Sequence, residues 1–80
     1  MWVIAGKPAG AVPKIGAEYL IKHRRKGEFT GRILNVGGTF ADVEVTQGKP
    51  RFKSLAYRAF YDGRVSIRDS LTYLIEMEEV

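Results

Sequence analysis

From Ala17 onward, apolar side chains recur at every second position of this 80-residue chain, and that period restricts its fold more than any other feature. Tyr19, Ile21 and His23 fall on one face of an extended segment, with Leu20, Lys22 and Arg24 on the other. Successive side chains of a strand point to opposite faces, whereas a helix repeats at 3.6. Phe29, Gly31 and Ile33 then alternate with Thr30, Arg32 and Leu34, and Ala41, Val43 and Val45 with Phe40, Asp42 and Glu44. Val65 and Ile67 continue the period, and so do Leu71, Tyr73, Ile75 and Met77. A mainly β domain follows.

Glycine marks the breaks. Gly27 centres a turn within Arg25-Lys26-Gly27-Glu28, and Gly31 inside a strand marks a bend or a close backbone approach. Gly37-Gly38 fits a tight hairpin, because glycine reaches positive φ at little cost.

Two segments depart from the period. Residues 1–14, with Pro8 and Pro13, read as a Gly/Pro-rich N-terminal arm, in which "WVIA" can pair as an edge strand. Trp2 is expected to pack on the domain or on a second copy, since an exposed indole on an arm invites association. Residues 15–80 form the single domain. Within it Phe52, Leu55, Ala56, Ala59 and Phe60 make the stripe of an amphipathic helix over about 51–61, with Pro50 before it and Gly63 after. A strand over the same residues would put Leu55, Tyr57, Ala59 and Tyr61 on one face. "RDSL" after Ile67 suits a single helical turn.

A bent hairpin, a further strand, and then "VSIRDSLTYLIEM" resembles the order of a small SH3-like barrel of the KOW and Tudor sort. The resemblance spans roughly residues 15 to 77. It implies a five-stranded barrel, here with one short helix inserted before the fourth strand. The chain is also loosely similar to the type II dihydrofolate reductases, short SH3-like chains that assemble as tetramers. In that family the fourth strand carries Val-Gln-Ile-Tyr, which lines the active pore. Here the run is Val65-Ser66-Ile67-Arg68, so the apolar positions match and the functional ones do not. That activity is therefore not carried over.

Composition bounds the function. The apolar fraction of 45% and charged fraction of 28% are those of an ordinary globular domain. The chain has no cysteine, which removes disulfides and thiolate metal sites, and its single histidine makes a zinc centre improbable. A chain this short buries a modest core, and assembly with further copies is a common remedy. Apolar runs such as Tyr19-Leu20-Ile21 are too short to span a bilayer, and "MWVIAG" lacks the basic start of a signal peptide, so a cytoplasmic protein is expected. Gly6-Lys7-Pro8 and Gly48-Lys49-Pro50 lack the glycine spacing and the Ser or Thr of a P-loop. His23 has no nucleophile or orienting carboxylate beside it in sequence. No catalytic residue, cofactor or metal is expected, and the chain reads as a non-enzyme.

The net charge of +4 hides an asymmetry, because Glu76, Glu78 and Glu79 stand in the last five residues and the preceding 75 carry +7. A positive body favours anionic partners. Lys22, His23, Arg24, Arg25 and Lys26 gather at the first hairpin, Arg32 returns on the next strand, and Lys49, Arg51 and Lys53 form a second group. Guanidinium forks bond phosphate oxygens two at a time. Tyr19, Phe29 and Phe40 stand near these charges as rings on which bases can stack. These residues predict a nucleic-acid-binding barrel, for DNA or RNA, held mostly through the phosphate backbone. Basic residues also protect exposed hairpins from edge-to-edge pairing, and the same cluster serves that purpose. The alternative is a protein-interaction or accessory module, of the kind mobile elements encode, acting as a homo-oligomer through its N-terminal arm or docking on a larger assembly.

Overall fold

The computed structural model describes residues 2–50, 63–68 and 74–80. They form six strands, β1 Trp2–Ile4, β2 Glu18–His23, β3 Gly27–Val36, β4 Phe40–Gln47, β5 Arg64–Arg68 and β6 Ile75–Glu79. All six join one mixed sheet in the order β1-β6-β2-β3-β4-β5. Four antiparallel pairings carry the sheet, and β1 adds to β6 in parallel, with Trp2 beside Ile75 and Ile4 beside Met77. The architecture is mainly β, as the alternation requires.

The strand count differs from the expected five. The sixth is β1, the edge strand that the sequence allows for "WVIA" in the arm: Trp2 and Ile4 turn inward while Val3 stays 41% exposed. Three residues suffice because two of them plug the core, and a turn in which Lys7 N–H donates to the Ile4 carbonyl ends the strand at once. Trp2 thus packs on its own chain. The expected helix over about 51–61 lies outside the described residues, as do the "RDSL" turn and the first part of the last alternating run, Leu71 to Tyr73. The described residues contain no helix.

Among the described residues, the inward apolar positions of all six strands supply one cluster. Trp2, Ile4, Tyr19, Ile21, Phe29, Ile33, Ala41, Val43, Val65, Ile67, Ile75 and Met77 are each 6% exposed or less. Each large side chain so removed from water contributes about 1.5–3 kcal/mol, which is what holds an 80-residue chain without crosslinks. Gly31 lies among them because there is no room for more: a Cβ there would stand 2.2 Å from Val43 Cγ1 and 3.0 Å from the Glu44 carbonyl oxygen. The register between β3 and β4 slips at Thr30/Gly31 and again at Ile33/Asn35, and such bulges bend and twist a strand.

At the β3–β4 turn the glycines act differently from the expectation. Neither Gly37 nor Gly38 takes positive φ. Gly37 instead leaves room for the Phe40 ring, which a Cβ there would have to displace. Its N–H donates to the Phe40 carbonyl at 2.8 Å and closes the turn. At the β2–β3 turn Gly27 does adopt a left-handed φ of 82°.

Candidate polyanion-binding hairpin tip

The β2–β3 hairpin ends in Arg24, Arg25 and Lys26, three consecutive cations carried over the turn. Arg24 and Arg25 are exposed and Lys26 is half-buried. Burial, followed by the adjacent Arg25 guanidinium, holds the Lys26 ammonium below its ordinary pKa.

His23 is not part of this surface, contrary to the sequence expectation. The strand period carries it inward, where it is 7% exposed. Its Nδ1 accepts hydrogen bonds from the backbone N–H groups of Arg25 and Lys26, both at 3.1 Å. Burial first, then the charges of Lys26 and Arg25, lower its pKa to about 4, so at neutral pH the ring is uncharged. With Nδ1 accepting, the proton of the neutral ring sits on Nε2. His23 is therefore the turn's internal acceptor.

Two other expected cations stand among carboxylates. Lys22 lies on the outer face of β2 with Glu28 of β3 on one side and Glu76 of β6 on the other. Arg32 belongs to a row across four strands, Glu18–Arg32–Glu44–Arg64, in which the sign alternates at every step. Opposite charges in directly facing positions stabilise a sheet by a few tenths of a kcal/mol to about 1 kcal/mol each. Arg32 Nη1 also donates to the Gly16 carbonyl at 3.4 Å, and Glu18 Oε2 accepts from Thr46 Oγ1 at 2.6 Å. Glu44 faces two basic residues, whereas Asp42 faces Asn35 and Ser66.

The aromatic candidates do not line the tip. Tyr19 and Phe29 are 3% and 2% exposed, so neither ring offers a face to a base. The Tyr19 hydroxyl accepts the Lys14 N–H at 3.0 Å, which satisfies it inside the fold. Phe40 is half-buried against Gly37 at the opposite end of β3, a strand of ten residues and so about 30 Å long. The period itself placed Tyr19 and Phe29 inside; proximity to cations in sequence pointed the other way.

Lys49 is brought to the tip by contacts the sequence does not display. Gly48, at φ 93°, lies so close to the start of β3 that a Cβ there would meet Phe29 Cα at 3.2 Å and the Glu28 carbonyl oxygen at 3.4 Å. The exposed Lys49 follows directly, at the end of the sheet that carries Arg24–Lys26. Arg51 and Lys53 lie outside the described residues.

Elsewhere, a shallow cavity of about 150 Å³ opens on the outer face between Val3, Ala5, Leu20, Lys22, Glu76 and Glu78. Sites that enclose small organic ligands start at roughly twice that volume. Among the described residues no group of three His, Asp or Glu side chains is placed to hold a metal ion, and no helix is long and apolar enough to cross a membrane. Comparison with protein-family models, with curated proteins and with solved structures gives no match.

Proposed function

We propose that this chain is a non-enzymatic nucleic-acid-binding domain that holds the phosphate backbone at the β2–β3 tip. One observation carries the reading: cations more than twenty residues apart, Arg24, Arg25 and Lys26 from one turn and Lys49 from another, converge on one end of the sheet. Lys22 and Arg32 stand opposite carboxylates in the strand register, which favours a role in the sheet over one at the tip. A small number of backbone contacts gives modest affinity, little sequence preference and a strong salt dependence. With this function we infer a small SH3-like barrel, supported by the two bulges that bend β3 and by a core drawn from all six strands. A cytoplasmic location accompanies the reading.

The test is a salt titration of binding to short labelled DNA and RNA, single- and double-stranded. Replacing Arg24 and Arg25 together by Ala should weaken binding and lower the log–log salt slope by about 1.4–1.8, as expected for two lost phosphate contacts. An unaltered slope would exclude the tip as the contact.

A second reading is favoured by Val12 of the arm and Ile15 just after it, which are 55% and 61% exposed. They supply an apolar surface for a homo-oligomer formed through the arm. Sedimentation across a hundredfold range of concentration decides it, since a constant monomer mass removes the arm as an interface.

A further inference from the structure

His23 combines two properties that a core residue and a surface cation do not share. It is buried, on a strand paired on both sides, with Gly27 of β3 and Ile75 of β6 as its register partners. Its Nδ1 lone pair is shared by two consecutive turn amides, those of Arg25 and Lys26. We infer that His23 is the positioning residue of the tip: by accepting these two N–H groups it fixes the turn in the conformation that presents Arg24 and Arg25 to a polyanion. The choice of ligand rests on the nucleic-acid reading above, whereas the hold on the turn rests on the bonding alone.

Ordering a flexible loop on binding costs free energy, and a turn already held in its bound form avoids that cost. A residue that supplies the order without touching the ligand acts on affinity through the two arginines. The same geometry makes the device conditional on protonation. A proton on Nδ1 turns the acceptor into a donor facing two donors, and adds charge beside Arg25 and Lys26. The strands flanking His23 place Glu28 and Glu76 on the outer face beside Lys22, not on the ring's side of the sheet. Protonation therefore has two opposed effects. An added cation alone would strengthen polyanion binding, whereas release of the turn weakens it, and the positioning role requires the second effect to dominate.

The experiment compares the wild-type chain, His23→Asn and His23→Leu. The Asn side-chain oxygen can take the place of Nδ1 and does not titrate, whereas Leu fills volume without an acceptor. Binding to a fluorescently labelled oligo(dT), whose bases stay neutral in this range, is measured at constant low salt from pH 7 to pH 4. The emission of Trp2, the single tryptophan, checks that each protein is folded. At pH 7 His23→Asn is expected to bind like wild type, and His23→Leu about tenfold more weakly, the equivalent of one or two lost turn hydrogen bonds. Acidification neutralises carboxylates in all three proteins, so the readout is wild type relative to His23→Asn, which should fall about twofold by pH 4 as half the rings release the turn. Amide hydrogen exchange at Arg25 and Lys26 should accelerate in His23→Leu alone. Wild-type affinity rising above that of His23→Asn on acidification, or His23→Leu binding like wild type, would overturn the positioning role. Unchanged exchange in His23→Leu would overturn it whatever the ligand. No binding by any of the three at pH 7, with exchange accelerated in His23→Leu, would overturn the polyanion reading and leave only the hold on the turn.

Discussion

His23 answers to two demands at once, burial from the strand period and acceptance from the turn, and both require a neutral ring. Its folded pKa of about 4 lies below the ordinary value of 6.5. Between those values the unfolded chain binds the proton more readily. The stability due to the neutral ring is therefore full above pH 6.5 and is lost progressively as pH falls toward 4. Urea unfolding at pH 7, 5.5 and 4.5 should show a decline, on the order of 2 kcal/mol at full extent, that His23→Asn does not share. Trp2 presents the complementary case. It is 5% exposed, yet its indole N–H has no acceptor among the described residues. Leaving such a donor buried costs about 1–3 kcal/mol, so Trp2→Phe, which removes donor and some volume together, should change stability by less than about 1 kcal/mol. Trp2→Ala should cost about 3–5 kcal/mol by the same urea measurement. Much of this was legible in the sequence. The alternation already set His23, Tyr19 and Phe29 on the inner face. Grouping by neighbouring charge obscured it for His23, because a turn acceptor is recognisable only once the turn amides have positions.

The strands beyond the arm could be read because each carries its own period, and the structure follows that phase residue for residue at Ile21, Ile33, Val43, Val65 and Ile75. β1 is different. Three residues establish no period, and its parallel partner β6 lies at the other end of the chain, so nothing local announces the pairing. The pairing of Lys22 and Arg32 with carboxylates was hidden for a related reason: register, not composition, decides which charges face one another. Gly31 shows register acting on sterics. Gly31→Ala forces a methyl group against Val43 Cγ1 and the Glu44 carbonyl. Because one of those atoms is backbone, the strands must part, and a loss of about 1–3 kcal/mol is expected in denaturant unfolding. Adding Val43→Ala should recover only the side-chain share of it. A substitution that leaves stability intact would mean that β3 and β4 are less closely apposed than described.

At the scale of the whole molecule, two turns place their cations at one end of the sheet. Arg24, Arg25 and Lys26 close the β2–β3 turn, and Lys49 follows Gly48, which lies against the start of β3. Only strand pairing and the Gly48 contact bring Lys49 to the tip, which is why one chemical end of the molecule could be read from the sequence only as two separate clusters. The parallel addition of β1 to β6 has a kinetic corollary. The four antiparallel pairings include two between strands joined by short turns, β2 with β3 and β3 with β4, so their loops close readily. Joining Trp2 to Ile75 closes nearly the whole chain into a ring, and contacts of such sequence separation form slowly. β1 is thus expected to dock after the rate-limiting barrier, as a latch on a sheet already assembled. In stopped-flow measurements Trp2→Phe should leave the folding rate unchanged and appear only in unfolding, whereas Ile33→Val in β3 should slow folding itself. A strand that is last to settle leaves its connection to β2 exposed while the rest of the sheet folds. A cut between β1 and β2 at that stage would release the latch before it engages.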